Sequence, residues 1–470
     1  MTSMTRVACA ATLSVVFAAG GSAGAQPFPR NPKVDRIFAQ WDKPDSPGCA
    51  VGVVQNGRFI YQRGYGMANL DYDIPNAPEM VYYVGSDSKQ FTAASIALLV
   101  LDAKISLDDD IRKYFPEMPD YGTPITVRHL VHHTSGIRDV YGIMAIAGLR
   151  MEDVFSDSEA VALIARQKAL NFKPGDAYLY SNSGYFLLAQ LVRRVTGTSL
   201  REFADARIFA PLGMTHTHFH DDPGHVMKKR AMAYESDDHG GYRISYLQNF
   251  NKIGAGGLYT NLDDLRKWDE NFYTHRVGGE ALQRLIHTRG VLSSGDTIPY
   301  AFGNFVASYR GLRTVEHAGG LMGYKAHIYR FPDQHFTVLE TCNLGSIDTG
   351  PLAEAVAEVY LGDKMGPKPP QRATRMDTTF AAETNVDYAG LAGDYYSDDV
   401  DATYHVTYRD GRLSYAGHHI PTQVLVPIGR DTFRAGDLTV RFERSAPGAA
   451  ATAFTIGAGR ALGFRFQRRN

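Results

Sequence analysis

Ser86 and Lys89 stand three residues apart at the head of a long apolar run, Phe91 to Leu101. On a helix that spacing puts both side chains on one face, so an amine reaches a hydroxyl. A serine hydroxyl is a poor nucleophile until a neighbour takes its proton, and a desolvated lysine of lowered pKa does that. The N–H groups at the start of the helix favour the negative charge that then develops. Alone, Ser-x-x-Lys describes a helix cap beside an exposed lysine equally well. A second group stands at Tyr180-Ser181-Asn182. A phenol relays a proton between nucleophile and leaving group when a nearby cation favours its phenolate, and Asn182 can orient the lysine and donate to a substrate amide. Alone, it describes a polar turn before a helix. The third group, His317-Ala318-Gly319-Gly320, closes a strand-like run. Its glycines let substrate lie against the strand edge, and the N–H groups of Gly320 and Ser86 are candidate oxyanion donors. This chemistry attacks an amide or ester of a small molecule or peptide and needs neither metal nor organic cofactor.

Positioning these groups requires several elements. A short helix is expected from Pro32 to Trp41, then a hairpin in which Val51–Gln55 and Phe59–Arg63 flank Asn56-Gly57, a pair suited to positive φ. The run from Phe91 is apolar nearly all round, as in a helix buried mid-domain. Leu188, Leu191, Val192 and Val195 form a helical stripe ending at Gly197, and another helix is expected from Thr260, with Leu265, Trp268 and Phe272 on one face. Strands return at 311–317, 324–331 and 336–342. The order implies a sheet whose first and last strands come from opposite ends of this region. Prolines cluster at 363–371 as a stiff linker. Beyond it, roughly seven or eight short alternating strands suggest a small antiparallel barrel with tyrosines packed inside.

The composition is ordinary for a globular chain of 470 residues, and a net charge of −1 gives no electrostatic footprint for nucleic acid or an anionic membrane. Arg6, the apolar stretch Val7–Ala19 and the small residues Ala23-Gly24-Ala25 predict an export signal over residues 1–25, with a periplasmic or secreted product. No later segment reaches membrane-spanning length, so no transmembrane segment is expected in the mature chain. Cys49 and Cys342 lie in apolar strand-like runs, and two buried thiols are favoured over a disulfide. His216, His218 and His220 alternate as metal ligands on a strand would, but are read as a solvated strand or loop. His132 and His133 are read as packing and hydrogen-bonding groups beside the site.

The order Ser-x-x-Lys, Tyr-Ser-Asn, His-x-Gly resembles the serine hydrolase superfamily of class C β-lactamases and penicillin-binding proteins, which includes S12-type peptidases. Supporting stretches are Gly85 to Ala93, Ile125 to Leu130, His133 to Gly136, Pro211 to Met214 and Gly254 to Gly257. The resemblance covers roughly residues 45 to 360. It implies an α+β fold, with an antiparallel sheet flanked by helices and an all-helical subdomain. The implied arrangement is a hydrolase domain over 26–362, a linker over 363–378 and a lipocalin-like barrel over 379–470. Carried over, Ser86 is the acylated nucleophile, Lys89 and Tyr180 share base and acid duty, Asn182 binds substrate, and His317, Gly319 and Gly320 form the third wall. Many β-lactamases and carboxypeptidases have lysine where this chain has His317. Histidine is mostly neutral at pH 7, so the usual cation for a substrate carboxylate is missing from that wall. His-x-Gly also occurs among esterases and D-amino-acid peptidases of the superfamily. A peptide-like amide, perhaps containing a D-residue, is thus the first expectation, a carboxylester the second, and a non-catalytic envelope-binding protein the rival of another class.

Overall fold

The hairpin around Asn56-Gly57 forms as its residues require, with φ of 50° and 74° at the two turn positions. In a computed structural model that describes residues 28–245, 251–368 and 388–469, apart from Asp437 and Pro447, this hairpin joins β1 (Cys49–Gln55) to β2 (Arg58–Tyr65). The later strands are β3 (Phe305–Tyr309), β4 (Leu312–Leu321), β5 (Tyr324–Phe331) and β6 (Phe336–Cys342). They form one antiparallel sheet in the order β3-β4-β5-β6-β1-β2. The first strand therefore lies beside the last, as its burial on both faces demands: β1 is an apolar run because neither face meets water.

Alternation along β1 separates two cores. Val51 and Val53 face a layer made by α1 (Pro32–Phe38) and the helix Thr349–Leu361, through Val34, Phe38, Ala353 and Val356. Ala50 and Val54 face the opposite core, which contains α2 (Ser88–Leu101) and helices of the 127–204 region. Residues 88 to 99 of α2 are all buried, which explains a sequence without a polar face.

Three sequence expectations are corrected here. Cys49 and Cys342 form a disulfide rather than two thiols, because the β1–β6 register sets them directly opposite with their Cα atoms 4.0 Å apart. The helix expected from Thr260 begins two residues later: Asn261 caps Leu262–Thr274 by accepting the Asp264 N–H, while Thr260 ends a short strand. The alternating histidines are not all solvated: His216 is exposed, but His218 is half-buried and His220 is buried. His220 is 6% exposed, His218 meets it through ring nitrogens 3.2 Å apart, and both pack on Tyr259.

Beyond residue 388, nine antiparallel strands curl into a nearly closed barrel, slightly more than the alternation suggested. Tyr395, Tyr404, Phe454 and Phe466 fill it. Ile143 and Ile146, from α3 (Val140–Ala147), complete that core from outside, and the Tyr404 hydroxyl donates to the Ile146 carbonyl at 2.9 Å. Among the described residues no helix is long and apolar enough to cross a membrane. The segment read as an export signal and most of the proline-rich linker lie outside the described residues.

Candidate active site

Ser86 occupies a 3-10 turn, Gly85–Asp87, that runs directly into α2. The turn is pinned because the Ser88 hydroxyl donates to the Gly85 carbonyl at 2.6 Å and accepts the Leu258 N–H at 3.1 Å. One helical turn later Lys89 points back, completely buried. Its Nζ lies 3.1 Å from Ser86 Oγ, 3.0 Å from Asn182 Oδ1 and 2.6 Å from the Ala255 carbonyl. Burial pushes its pKa well below the ordinary lysine value. A neutral amine keeps two N–H bonds, to Asn182 and Ala255, and turns its lone pair to the Ser86 hydroxyl.

Tyr180 precedes α4 (Asn182–Thr196). Its ring centroid is 4.8 Å from Lys89 Nζ, and the Ser86 side chain is within hydrogen-bonding reach of its phenol. Burial pushes that phenol well above its usual pKa, the Ser86 contact opposing it. Asn182 is held by Asp139, whose Oδ2 accepts both the Asn182 main-chain N–H at 2.8 Å and its Nδ2 at 2.9 Å. The amide oxygen is thereby turned to Lys89, and one Nδ2 hydrogen stays available.

His317 completes the opposite wall from β4. Its Nδ1 is 2.7 Å from the Ala318 carbonyl, which can only accept, so the proton sits on Nδ1. Nε2 is therefore an acceptor, facing the hydroxyls of Tyr180 at 3.4 Å and Tyr300 at 3.2 Å. Burial lowers the imidazole pKa to about 3, so it is neutral at physiological pH. Gly319 is required by the close approach of β4 to the serine turn: a Cβ there would lie 1.9 Å from the Val84 carbonyl oxygen and 2.7 Å from Ser86 N. Gly85 meets the same constraint, since its Cβ would fall 2.3 Å from Gly320 N.

These groups line one cavity of about 520 Å³. It contains Ser86, Tyr180, Asn182, His317 and Gly320, together with Arg460 from the barrel. His133 stands behind it, its ring tilted against that of Tyr180 with centroids 4.2 Å apart and its Nδ1 accepting the Ser181 N–H, and burial keeps it neutral. Sequence reasoning did not find Asp139, Tyr300 or Arg460. Nothing in their local spacing marks them, because each arrives through tertiary packing.

The chain belongs to the beta-lactamase family, whose model matches residues 34–376. That makes it a serine hydrolase of the superfamily shared with penicillin-binding proteins. Among relatives, a D-aminopeptidase of Gluconobacter oxydans is 27% identical over 406 residues, covering 86% of this chain and 73% of that protein. A D-aminopeptidase of Brucella canis is 29% identical over 297 residues, 63% of this chain; the match spans only 56% of the Brucella protein. The octameric penicillin-binding protein homologue from Pyrococcus abyssi has the same fold, with a TM-score of 0.63 at 22% identity, over 92% of this chain and 98% of that one. So does the D-amino acid amidase from Ochrobactrum anthropi SV3, with a TM-score of 0.59 at 19% identity, over 71% and 99%.

Proposed function

We propose that the chain is an exported hydrolase that cleaves peptide-like amides containing a D-residue through an acyl-enzyme on Ser86. The observation that carries this reading is the fully buried Lys89 amine 3.1 Å from Ser86 Oγ. Lys89 takes the Ser86 proton as Oγ bonds to the substrate carbonyl carbon. The oxyanion faces the N–H groups of Ser86 and Gly320. As the C–N bond breaks, Tyr180 gives its phenolic proton to the departing nitrogen and recovers one from Lys89. Water then attacks the acyl carbon, its proton returning through the same groups, and Ser86 is released. Burial favours both the neutral amine and the neutral phenol, so Lys89 is the first base and Tyr180 the acid.

The choice of D-residue amides is supported by the D-aminopeptidase relatives and by a third wall whose histidine is neutral. Export is supported by the residue 1–25 pattern and by the Cys49–Cys342 disulfide, a bond typical of oxidising compartments. The test is a side-by-side turnover panel of D- and L-aminoacyl amides, p-nitrophenyl esters and a chromogenic cephalosporin. The D-aminoacyl amides are expected to give the highest kcat/KM. Preference for the esters would make the protein a carboxylesterase. Absence of any turnover would support a binding protein instead.

A further inference from the structure

One wall of the Ser86 cavity comes from outside the stretch matched by the family model. Arg460 sits on the turn between the barrel's last two strands, Ala453–Ala458 and Ala461–Arg468. Its backbone is clamped. The Arg460 carbonyl accepts the Asp139 N–H at 3.3 Å and Asn171 Nδ2 at 2.8 Å, and Asn171 Oδ1 takes the Leu462 N–H at 2.9 Å. Arg138 donates to the carbonyls of Leu462 and Gly463, at 2.9 and 3.0 Å, while paired with Asp399 at 2.7 Å.

The guanidinium, by contrast, is largely unused. It lies 5.1 Å from the Tyr180 ring centroid and is 43% exposed. Its one polar contact among the described residues is Nε to Asp139 Oδ2 at 3.4 Å. Asp139 does not need that contact: Oδ2 already takes two N–H groups from Asn182 and Oδ1 takes the Tyr141 N–H at 3.1 Å. The four terminal N–H groups of the fork are therefore open to the cavity. Among the described residues that line the cavity, no other side chain is a free cation. Lys89 has its donors spoken for and His317 is neutral. Glu316, a lining carboxylate, is engaged by His327 Nε2 at 2.7 Å.

We propose that Arg460 forms a carboxylate-binding subsite, so that the substrate is a peptide-like amide carrying a free carboxylate. This rests on the reading of the Ser86 cavity as the hydrolytic site and narrows it. A guanidinium fork matches a carboxylate in charge and in planar geometry. The barrel thereby supplies the cation that related enzymes carry on the β4 wall. The carboxylate comes either from a peptide C-terminus beyond the scissile bond or from an acidic group on the acyl portion.

The test is equilibrium binding to the full-length chain carrying Ser86→Ala, which leaves the probe uncleaved. One pair of probes is N-acetyl-D-alanyl-D-alanine and its C-terminal amide. The other is N-succinyl-D-alaninamide and N-acetyl-D-alaninamide. In one pair the acid is expected to bind at least about 10-fold tighter than its neutral counterpart, the scale of a charge-assisted hydrogen bond. Preference in the first pair places the carboxylate on the departing residue, and in the second on the acyl side. Arg460→Gln should abolish the preference and Arg460→Lys retain part of it; the turn is held by main-chain contacts that neither substitution removes. Equal affinities within both pairs, a preference that survives Arg460→Gln, or no binding of either acid overturns the proposal. Failure of the hydrolase reading registers separately, as an unsubstituted protein that a fluorophosphonate does not acylate.

Discussion

Lys89 and Ser86 differ from an ordinary helix pair in their surroundings. A lysine with no solvent contact is driven towards the neutral amine, the form a general base requires. The sign of the pH effect follows: the neutral fraction rises with pH through the lowered lysine pKa, so kcat/KM should climb along an acid limb and then level. His317 is neutral above about 3 and cannot be the source of that limb. His317→Gln should therefore change KM or kcat while leaving the limb in place; a limb that moved with this substitution would transfer the titration from lysine to histidine. Lys89→Met should lower kcat/KM by at least about 10³-fold, as expected for loss of the group that activates the nucleophile. At this scale residue type and order were enough to single out Ser86, Lys89, Tyr180, Asn182 and His317, which the fold brings together. It also suggested a phenolate favoured by a nearby cation, whereas burial dominates and keeps Tyr180 a phenol. Asp139 was illegible because it holds Asn182 from 43 positions away in the sequence.

Elements set how closely these side chains meet. The serine turn and β4 touch through backbone, and glycine at position 319 is what permits it. Gly319→Ala should cost about 10²–10³-fold in kcat, the scale of a lost oxyanion donor, with far-UV circular dichroism unchanged. Retention of full activity would separate β4 from the oxyanion site. The central strands are joined covalently as well. Replacing both Cys49 and Cys342 with serine should lower unfolding free energy by about 2–4 kcal/mol in denaturant titrations. Two titratable thiols in the unreduced, unfolded protein would contradict the bond. Strands and helices were legible because β1 is apolar without interruption and α2 has no polar face. The disulfide was not, since pairing depends on register between strands 293 residues apart, and register is set by the whole sheet.

Across the whole molecule, the barrel is part of the site's surroundings. The Arg138–Asp399 pair, with Arg138 buried, joins it to the helical region beside Asp139. Breaking a buried pair from one side typically costs about 3–5 kcal/mol. Asp399→Ala should accordingly lower Tm and speed amide hydrogen exchange in the 459–463 turn; unaltered exchange there would show that the turn is held without this pair. The alternating strands revealed a barrel, but its docking could not be read, because contacts such as Tyr404 to Ile146 join residues 258 apart. The candidate site is itself a product of this scale, with the hydroxyl and amine of one helix start meeting a phenol from a distant stretch of chain. Acylation by a fluorophosphonate, mapped by peptide mass spectrometry, tests that convergence most directly. The account predicts one adduct, on Ser86, lost in Ser86→Ala and strongly slowed in Lys89→Met. An adduct on another residue, or labelling that persists in Ser86→Ala, would contradict it.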